Sequence, residues 1–246
     1  MIEGLREKLT KNVIKMVHIK RFNIKKTWDV AKKEKPWIVK SNPGKLSLLS
    51  IPLETLLKEV SDLATTKKEV LYLLSEGIYL NGKRVKDRRF PIGLFDVLSF
   101  ESEKDDEVFY RLVLKKGKLS LKTIDKKEKD LTILKIVSKN KISRKTKKGK
   151  ETGFNYGLID SSNYFTDESF STNGSFIYNH NKKEKVDYLP LEKGTKVMVI
   201  SRKHIGKIGT VEEVSDDFVL IKNEDHLLKT KSKNVYVLGK KIKITI

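Results

Sequence analysis

The sequence predicts an α+β protein that is mostly β. Between residues 51 and 77 two stretches carry apolar residues at helical spacing, whereas most later apolar runs are short and flanked by turn residues. The dipeptide Asn81-Gly82 between two apolar runs is a strong hairpin signal. With 246 residues, the chain is long enough for two or three small domains. We therefore expect a basic arm and three compact modules, over residues 1–50, 51–100, 101–188 and 189–246.

The N-terminal arm is strongly basic, with 13 Lys and Arg against 4 Asp and Glu in residues 1–50. It begins with an apolar stripe that predicts helical turns, formed by Ile2, Leu5, Leu9, Val13 and Met16. Basic and planar side chains then interleave, a combination that suits phosphate contact and stacking on unpaired bases. The candidate RNA contacts of the arm are His18, Lys20, Arg21, Lys25, Lys26 and Trp28. Alternatively, Trp28 and Trp37 pin an irregular arm to the body of the protein.

Residues 51–100 predict two helices, a hairpin and a further strand. The apolar stripe of the first helix ends near Leu63. Thr66 and Glu69 form a capping-box signature at the start of the second helix, and Gly77 is a good C-terminal stop. Residues 78–80 and 83–85 form the hairpin, and 94–100 form the further strand. We expect Asp96 to brace the turn before the last strand.

Residues 101–188 predict a central β domain. An acidic turn at 101–107 precedes a hairpin of residues 108–114 and 119–124, and 131–137 form another strand. Residues 139–150 are too polar to bury a core, so we expect a basic loop there. Its candidate RNA contacts are Arg144, Lys145, Lys147 and Lys148. From there to residue 181 the chain is rich in Ser, Asn, Tyr and Phe and gives no clear pattern.

Residues 189–246 predict a small barrel. Short apolar runs at 196–200, 208–211, 218–221 and 234–238 are separated by polar turns. Gly206 and Gly209 flank the start of the second strand, where a missing Cβ allows a sharp turn or the close approach of another backbone. The cations of this turn are candidate contacts with RNA or with a neighbouring protein: Arg202, Lys203 and Lys207.

The formal net charge of +21 is concentrated in two blocks. Residues 1–50 have a balance of +9 and residues 115–150 a balance of +12, so the remainder of the chain is neutral as a whole. Basic segments joined to neutral, patterned modules favour a polyanionic partner, and nucleic acid is the leading class. The alternative is a solvated, Lys-rich surface without a specific partner.

Several other function classes are disfavoured. No run approaches the roughly 18 apolar residues of a membrane-spanning helix. The chain has no Cys, which excludes disulfides, thiolate zinc sites and cysteine nucleophiles. The four His residues lack metal-ligand spacing, and residues 206–210 lack the spacing of a phosphate-binding loop. We therefore expect no enzyme activity, no cofactor, no metal, no membrane partner and no small-molecule substrate.

Several motifs occur in a characteristic order along the chain: HIKRF at 18–22 with Trp28, EGIYLNGKRV at 76–85, DRRFPIGLFDVLS at 87–99, YRL at 110–112 with KGK at 116–118, and NVYVLG at 234–239. This set resembles the S4e family of archaeal and eukaryotic small-subunit ribosomal proteins, over nearly the whole chain. The resemblance implies an rRNA-contacting arm, an S4-type RNA-binding module, a central β domain and a C-terminal barrel of the KOW or SH3-like type.

The resemblance also places basic residues on or beside the RNA-binding face of the module: Lys67, Lys68, Lys83, Arg84, Lys86, Arg88 and Arg89. It implies a structural constituent of the small ribosomal subunit that binds and stabilises folded rRNA. The implied partners are small-subunit rRNA and neighbouring small-subunit proteins, and the implied location is the cytoplasm, in the ribosome. Two alternatives from other classes use the same module: an RNA-modifying enzyme and a KOW-type transcription or translation factor.

Overall fold

The structure, a computed structural model, describes residues 18–100, 108–146, 149–200, 203–215, 217–223 and 226–239, with the backbone alone at 144–146 and 149–151. The expected N-terminal helical turns and the acidic turn at 101–107 lie outside these residues. Two short α-helices are present in the described part, α1 (Leu53–Thr55) and α2 (Lys67–Glu76), and a π-helical turn at Leu56–Val60 continues α1. The expectation of a mostly β chain is therefore confirmed.

The strands are β1 (His18–Lys20), β2 (Trp37–Val39), β3 (Ser50–Pro52), β4 (Ile78–Leu80), β5 (Lys83–Val85), β6 (Pro91–Gly93), β7 (Val97–Phe100), β8 (Phe109–Lys115), β9 (Lys118–Ile124), β10 (Leu131–Thr146), β11 (Gly149–Leu158), β12 (Asn163–Thr166), β13 (Ser175–Asn179), β14 (Glu184–Leu189), β15 (Lys196–Val199), β16 (Ile208–Val214), β17 (Phe218–Lys222), β18 (Leu227–Lys231) and β19 (Val235–Gly239). They form three five-stranded sheets, with orders β5-β4-β7-β8-β9, β12-β11-β10-β13-β14 and β18-β17-β16-β15-β19. Two strand pairs, β1-β2 and β3-β6, complete the described part, and its strand pairings are antiparallel.

The predicted ends of α2 and both predicted hairpin turns are confirmed. Thr66 accepts from the Glu69 amide, and the Glu69 carboxylate accepts from the Thr66 amide, which completes the capping box. Asn81 and Gly82 have φ values of 49° and 75°, as a two-residue hairpin turn requires. The turn at Lys116-Gly117 has the same geometry. The first helix was predicted to end near Leu63, but its helical structure ends at Val60, the last residue of the π-helical turn.

The last strand of the first module is shorter than predicted, because residues 93–96 form a turn. The Asp96 amide donates to the Gly93 carbonyl at 3.1 Å, and Phe95 has a φ of 66°. Asp96 Oδ2 accepts from the Gly93 amide at 2.6 Å and from Lys45, and Asp96 Oδ1 accepts from Asn81 Nδ2 at 2.9 Å. The expectation that Asp96 braces this turn is confirmed, and the strand β7 begins only at Val97.

The prediction of a basic loop at 139–150 is wrong for the described residues of that segment. Strand β10 continues to Thr146 and pairs with β11 from Ile136 to Thr146. Two nearby strands satisfy each other's backbone hydrogen bonds, so a polar segment needs no apolar core of its own to become a ribbon. One contact also compensates for the charge: Lys139 Nζ lies 4.5 Å from the centre of the Phe154 ring.

The C-terminal segment contains the four predicted strands, as β15, β16, β17 and β19. It contains a fifth strand, β18, which sequence reasoning missed because its residues are mostly exposed or half-buried and include two lysines. Strands β15 to β19 form one sheet in which β15 pairs with both β16 and β19.

The three large sheets share one apolar core, and Tyr236 of β19 lies where they meet. Its hydroxyl donates to the carbonyl of Ile133 in β10 at 2.6 Å, and its ring centre lies 5.2 Å from that of Phe95. Successive residues of β10 face opposite sides, so Leu134 and Ile136 belong to a second cluster. That second cluster is rich in Phe and Tyr, which explains the aromatic composition of a region that had no clear pattern in the sequence.

Candidate nucleic-acid interface

The arm residues divide into an exposed set and a buried set. His18, Lys20, Lys25 and Lys26 are exposed, whereas Arg21 and Trp28 are buried. The indole Nε1 of Trp28 donates to the Ser50 carbonyl at 2.8 Å, so this tryptophan fastens the arm to β3. The pinning alternative therefore describes Trp28, and the interpretation of Trp28 as a stacking residue fails because its ring is inside the protein.

Arg21 is also a structural residue in this fold. Its Nη2 lies 2.6 Å from Glu59 Oε1, and its Nη1 donates to Glu59 Oε2 at 3.3 Å and to the Ala31 carbonyl at 2.7 Å. With 1% of its surface exposed, the guanidinium has no face left for a phosphate. The expectation that Arg21 contacts RNA is therefore not supported by its position, although its neighbour Lys20 remains exposed.

The basic residues of the module also divide by exposure. Five of them are exposed: Lys67, Lys68, Lys83, Arg84 and Lys86. Arg84 Nη2 donates to the Ser75 carbonyl in the last turn of α2 at 2.8 Å. Lys67 and Ser75 are eight residues apart along the helix, or about 12 Å at 1.5 Å per residue. The module thus offers two separate groups of cations, one at each end of α2.

The two remaining arginines of the module are half-buried and paired with carboxylates. Arg88 binds the buried Glu54 side chain, and Arg89 lies 3.6 Å from Asp87. The pKa of Asp87 lies below its ordinary value. Burial raises this pKa, but hydrogen bonds from the Arg89 amide and from Asn42, together with the charge of Arg89, lower it by a larger amount. These pairs reduce the freedom of both arginines to meet a phosphate, and Arg88 has a clear structural role.

The remaining candidate RNA contacts belong to the β10–β11 ribbon and to the turn between β15 and β16. Arg144 and Lys145 lie on the final residues of β10, where only the backbone is described. Lys147, Lys148 and Arg202 lie outside the described residues. Lys203 and Lys207 are exposed on the turn between β15 and β16.

This C-terminal turn packs tightly against the β8–β9 turn. Gly206 has a φ of 82°, and a Cβ added to it would lie 2.8 Å from the Gly117 amide nitrogen. The predicted close approach of a second backbone at Gly206 is therefore confirmed. Lys116 on one side and Lys203 and Lys207 on the other therefore lie on two turns that are in contact. Lys116 was not among the candidate residues. Partial desolvation and the charges of Lys207 and Lys203 lower the pKa of His204 in this turn.

The described residues contain no group of three or more His, Asp or Glu side chains that could hold a metal ion. None of the described helices is both long and apolar enough to span a membrane. The β8–β9 turn and the β15–β16 turn, which contact each other, are called the paired turns. Exposed lysine side chains lie on the arm, on the module and on these paired turns.

The chain has clear relatives among known proteins. No protein-family model matches it. It is 35% identical over 201 residues to the small ribosomal subunit protein eS4 of Nanoarchaeum equitans, which covers 80% of this chain and 82% of that protein. It is 30% identical over 233 residues to the eS4 protein of Archaeoglobus fulgidus, covering 92% and 94%.

A solved structure shares the fold. The crystal structure of the 30S ribosomal protein S4e from Thermoplasma acidophilum superposes with a TM-score of 0.63 at 20% identity, covering 78% of this chain and 95% of that one. The sequence identities extend over most of both chains, and the motif order that suggested the family lies within the same fold. The chain therefore belongs to the family of small ribosomal subunit protein eS4.

Proposed function

We propose that this protein is a structural constituent of the small ribosomal subunit that binds and stabilises folded rRNA in the cytoplasm. The observation that carries the proposal is its membership of the eS4 family over most of its length. The net charge of +21 and the exposed lysines of the arm, module and paired turns support an RNA partner, because phosphate neutralisation supplies most of such affinity. Neighbouring small-subunit proteins are the other proposed partners, and the role is non-catalytic.

Each part of the chain has a task in this proposed role. Residues 51–100 act as an S4-type RNA-binding module, supported by the two helices, the β4–β5 hairpin and exposed lysines at both ends of α2. Residues 189–246 are assigned to a barrel of the KOW or SH3-like type, supported by the five-stranded antiparallel sheet of their described strands, in which β15 pairs with both β16 and β19. Residues 1–50 form an rRNA-contacting arm, and residues 101–188 a central β domain whose basic ribbon extends the RNA-binding surface.

The direct test is sedimentation of a native cell extract through a sucrose gradient. The protein is expected to co-sediment with the small subunit and to remain there after a high-salt wash, because many simultaneous contacts hold a core ribosomal protein. Recovery only in the free-protein fractions would contradict the proposal and favour the enzyme or factor alternatives.

The exposed lysines of the module are expected to contribute directly to rRNA affinity. Replacing Lys67, Lys68, Lys83 and Lys86 by Ala should lower the affinity and reduce the log–log salt slope by about 0.7 to 0.9 for each phosphate that these lysines neutralise. The stability of the fold should change little, since these side chains are exposed. The measurement is filter binding to small-subunit rRNA between about 50 and 200 mM salt.

A matched variant removes the same charge from exposed lysines outside the proposed face: Lys182, Lys193, Lys196 and Lys231. Its affinity and slope should fall less than those of the module variant. Equal losses in the two variants would show that net charge alone matters, and the module would not be the specific contact surface.

A further inference from the structure

The two tryptophans of the chain lie in opposite environments. Trp28 is 4% exposed and its indole N–H donates a hydrogen bond to the Ser50 carbonyl, whereas Trp37 is 55% exposed. Phe22 of the same arm is 72% exposed. Burial of these two large rings would stabilise the fold, so their exposure leaves the protein less stable than it could be. Single exposed apolar residues are common, but two aromatic rings near each other on one short segment call for a physical reason.

The backbone places these two rings at the same end of the β1–β2 ribbon. Lys20 is paired with Trp37 in the strand register, so their side chains emerge on the same face. The Arg21 amide then donates to the Pro36 carbonyl at 2.9 Å, and Phe22 is the next residue. Among the described residues, neither Phe22 nor Trp37 stacks on another aromatic ring. The exposed surface of each ring is thus not covered by another aromatic ring of the described chain.

The surroundings of the two rings are cationic. Residues 18–40 contain eight Lys and Arg against two acidic residues. One of the cations, Arg21, is neutralised internally by Glu59, and one of the acids, Asp29, lies 3.6 Å from Lys118. The lysines closest in sequence to the rings, Lys20, Lys25 and Lys35, are exposed. Apolar rings flanked by free cations complement a polyanion that also offers flat apolar faces.

We infer that Trp37 and Phe22 form a stacking platform for unpaired bases of RNA, with Lys20 and its neighbouring lysines on the adjoining phosphates. This inference rests on the proposed function and names the kind of RNA that the arm takes. Only unpaired nucleotides present free base faces, since the bases of a duplex are already stacked on each other. A protein partner with an acidic, apolar surface is the competing occupant, and the test separates the two.

The test uses intrinsic fluorescence, because Trp28 and Trp37 are the two tryptophans of the chain. Titration of the full-length protein with single-stranded decaadenylate at low salt should quench part of the emission. In Trp37→Phe the remaining fluorophore is the buried Trp28, so the quenching should disappear while affinity is kept, since Phe preserves a stacking ring. A ten-base-pair RNA duplex should bind without quenching Trp37.

Affinity measurements complete the test. Trp37→Ala should weaken decaadenylate binding about tenfold, and Phe22→Ala by a similar factor, as expected for the loss of one base-stacking ring. The matched control is Phe218→Ala, a partly exposed ring in the C-terminal sheet, which should change the affinity less than twofold.

Two results would overturn the inference. The first is equal affinity of Trp37→Ala and the unaltered protein for decaadenylate. The second is a Trp37→Ala defect that is confined to incorporation into the small subunit, with naked single-stranded RNA bound normally, which would identify a protein partner. In both cases the unaltered protein still co-sediments with the subunit, so this failure is distinct from failure of the proposed function.

Discussion

Replacement of Arg21 by Met is expected to destabilise the protein by about 3–5 kcal/mol, the typical cost of removing one partner from a buried ion pair. Arg21 is 1% exposed and binds both carboxylate oxygens of Glu59 together with the Ala31 carbonyl. Without the guanidinium, the Glu59 carboxylate keeps its partly desolvated position but loses its counter-charge. The measurement is urea unfolding followed by far-UV circular dichroism, with the free energy extrapolated to water.

The matched control for this prediction is Lys20→Met, which removes the neighbouring cation from an exposed position. It should change the free energy of unfolding by no more than about 0.5 kcal/mol. The double replacement Arg21→Met with Glu59→Met should recover part of the loss, because an apolar pair leaves no charge unpaired. A cost below about 1 kcal/mol for Arg21→Met would show that the arm is not fastened to the module through this pair.

The stability of the protein is expected to rise above pH 8 through Lys135. This lysine of β10 is 4% exposed, and its Nζ donates to the Lys233 carbonyl at 2.7 Å and to the carbonyls of Ser232 and Val235. Burial lowers the pKa of Lys135 from 10.5 to about 8, even though the three carbonyls favour the ammonium form. The side chain therefore places a titratable amine between the central and C-terminal sheets.

The direction of the effect follows from proton linkage. Below pH 8 both the folded and the unfolded chain hold the proton, and the folded protein bears the cost of a buried ammonium. Between pH 8 and 10.5 the folded protein releases the proton while the unfolded chain still holds it, so the unfolded state binds more protons and stability rises with pH. A difference of this size corresponds to about 3 kcal/mol in total.

Comparison with Lys135→Met isolates this contribution from all other titrations. The free energy of unfolding of the unaltered protein, minus that of Lys135→Met, should increase by up to about 3 kcal/mol between about pH 7 and 10.5. Urea unfolding at closely spaced pH values provides the measurement. Lys141→Met, at an exposed position of the same strand, controls for the loss of a lysine as such. If the curves of Lys135→Met and the unaltered protein run parallel, the amine titrates no differently in the two states.

Several structural features could be predicted because their signals are local. The capping box at Thr66 and the Asn81-Gly82 turn depend on residues within a few positions of one another, and both are present. The ribbon of β10 and β11 was missed because strand formation there depends on pairing between two polar segments rather than on apolar alternation. The aromatic core around Phe176 was missed for a related reason: its members come from five strands and a loop.

The candidate interface was predicted at the level of residue type and only partly at the level of individual residues. Exposed lysines occur where the sequence placed them, at 67, 68, 83 and 86. Lys135 could have been noticed as a lysine inside an apolar run, on the same side of the strand as Ile133. Lys116 could not have been grouped with Lys203 and Lys207, since only the contact of Gly117 with Gly206 joins the two turns.

Composition, charge distribution and motif order were sufficient to identify the family, both hairpin turns and the ends of α2, and they pointed to a polyanionic partner. They could not distinguish Arg21 from Lys20 or Trp28 from Trp37, which share residue chemistry and neighbourhood. Contacts between residues far apart in the sequence decide which of these side chains are buried. Examples are the hydrogen bond from Arg21 to Glu59, 38 residues away, and the hydrogen bond from Tyr236 to Ile133, 103 residues away. Burial is a property of the packed molecule, so only the tertiary structure decides which cation stabilises the fold and which remains exposed at the surface.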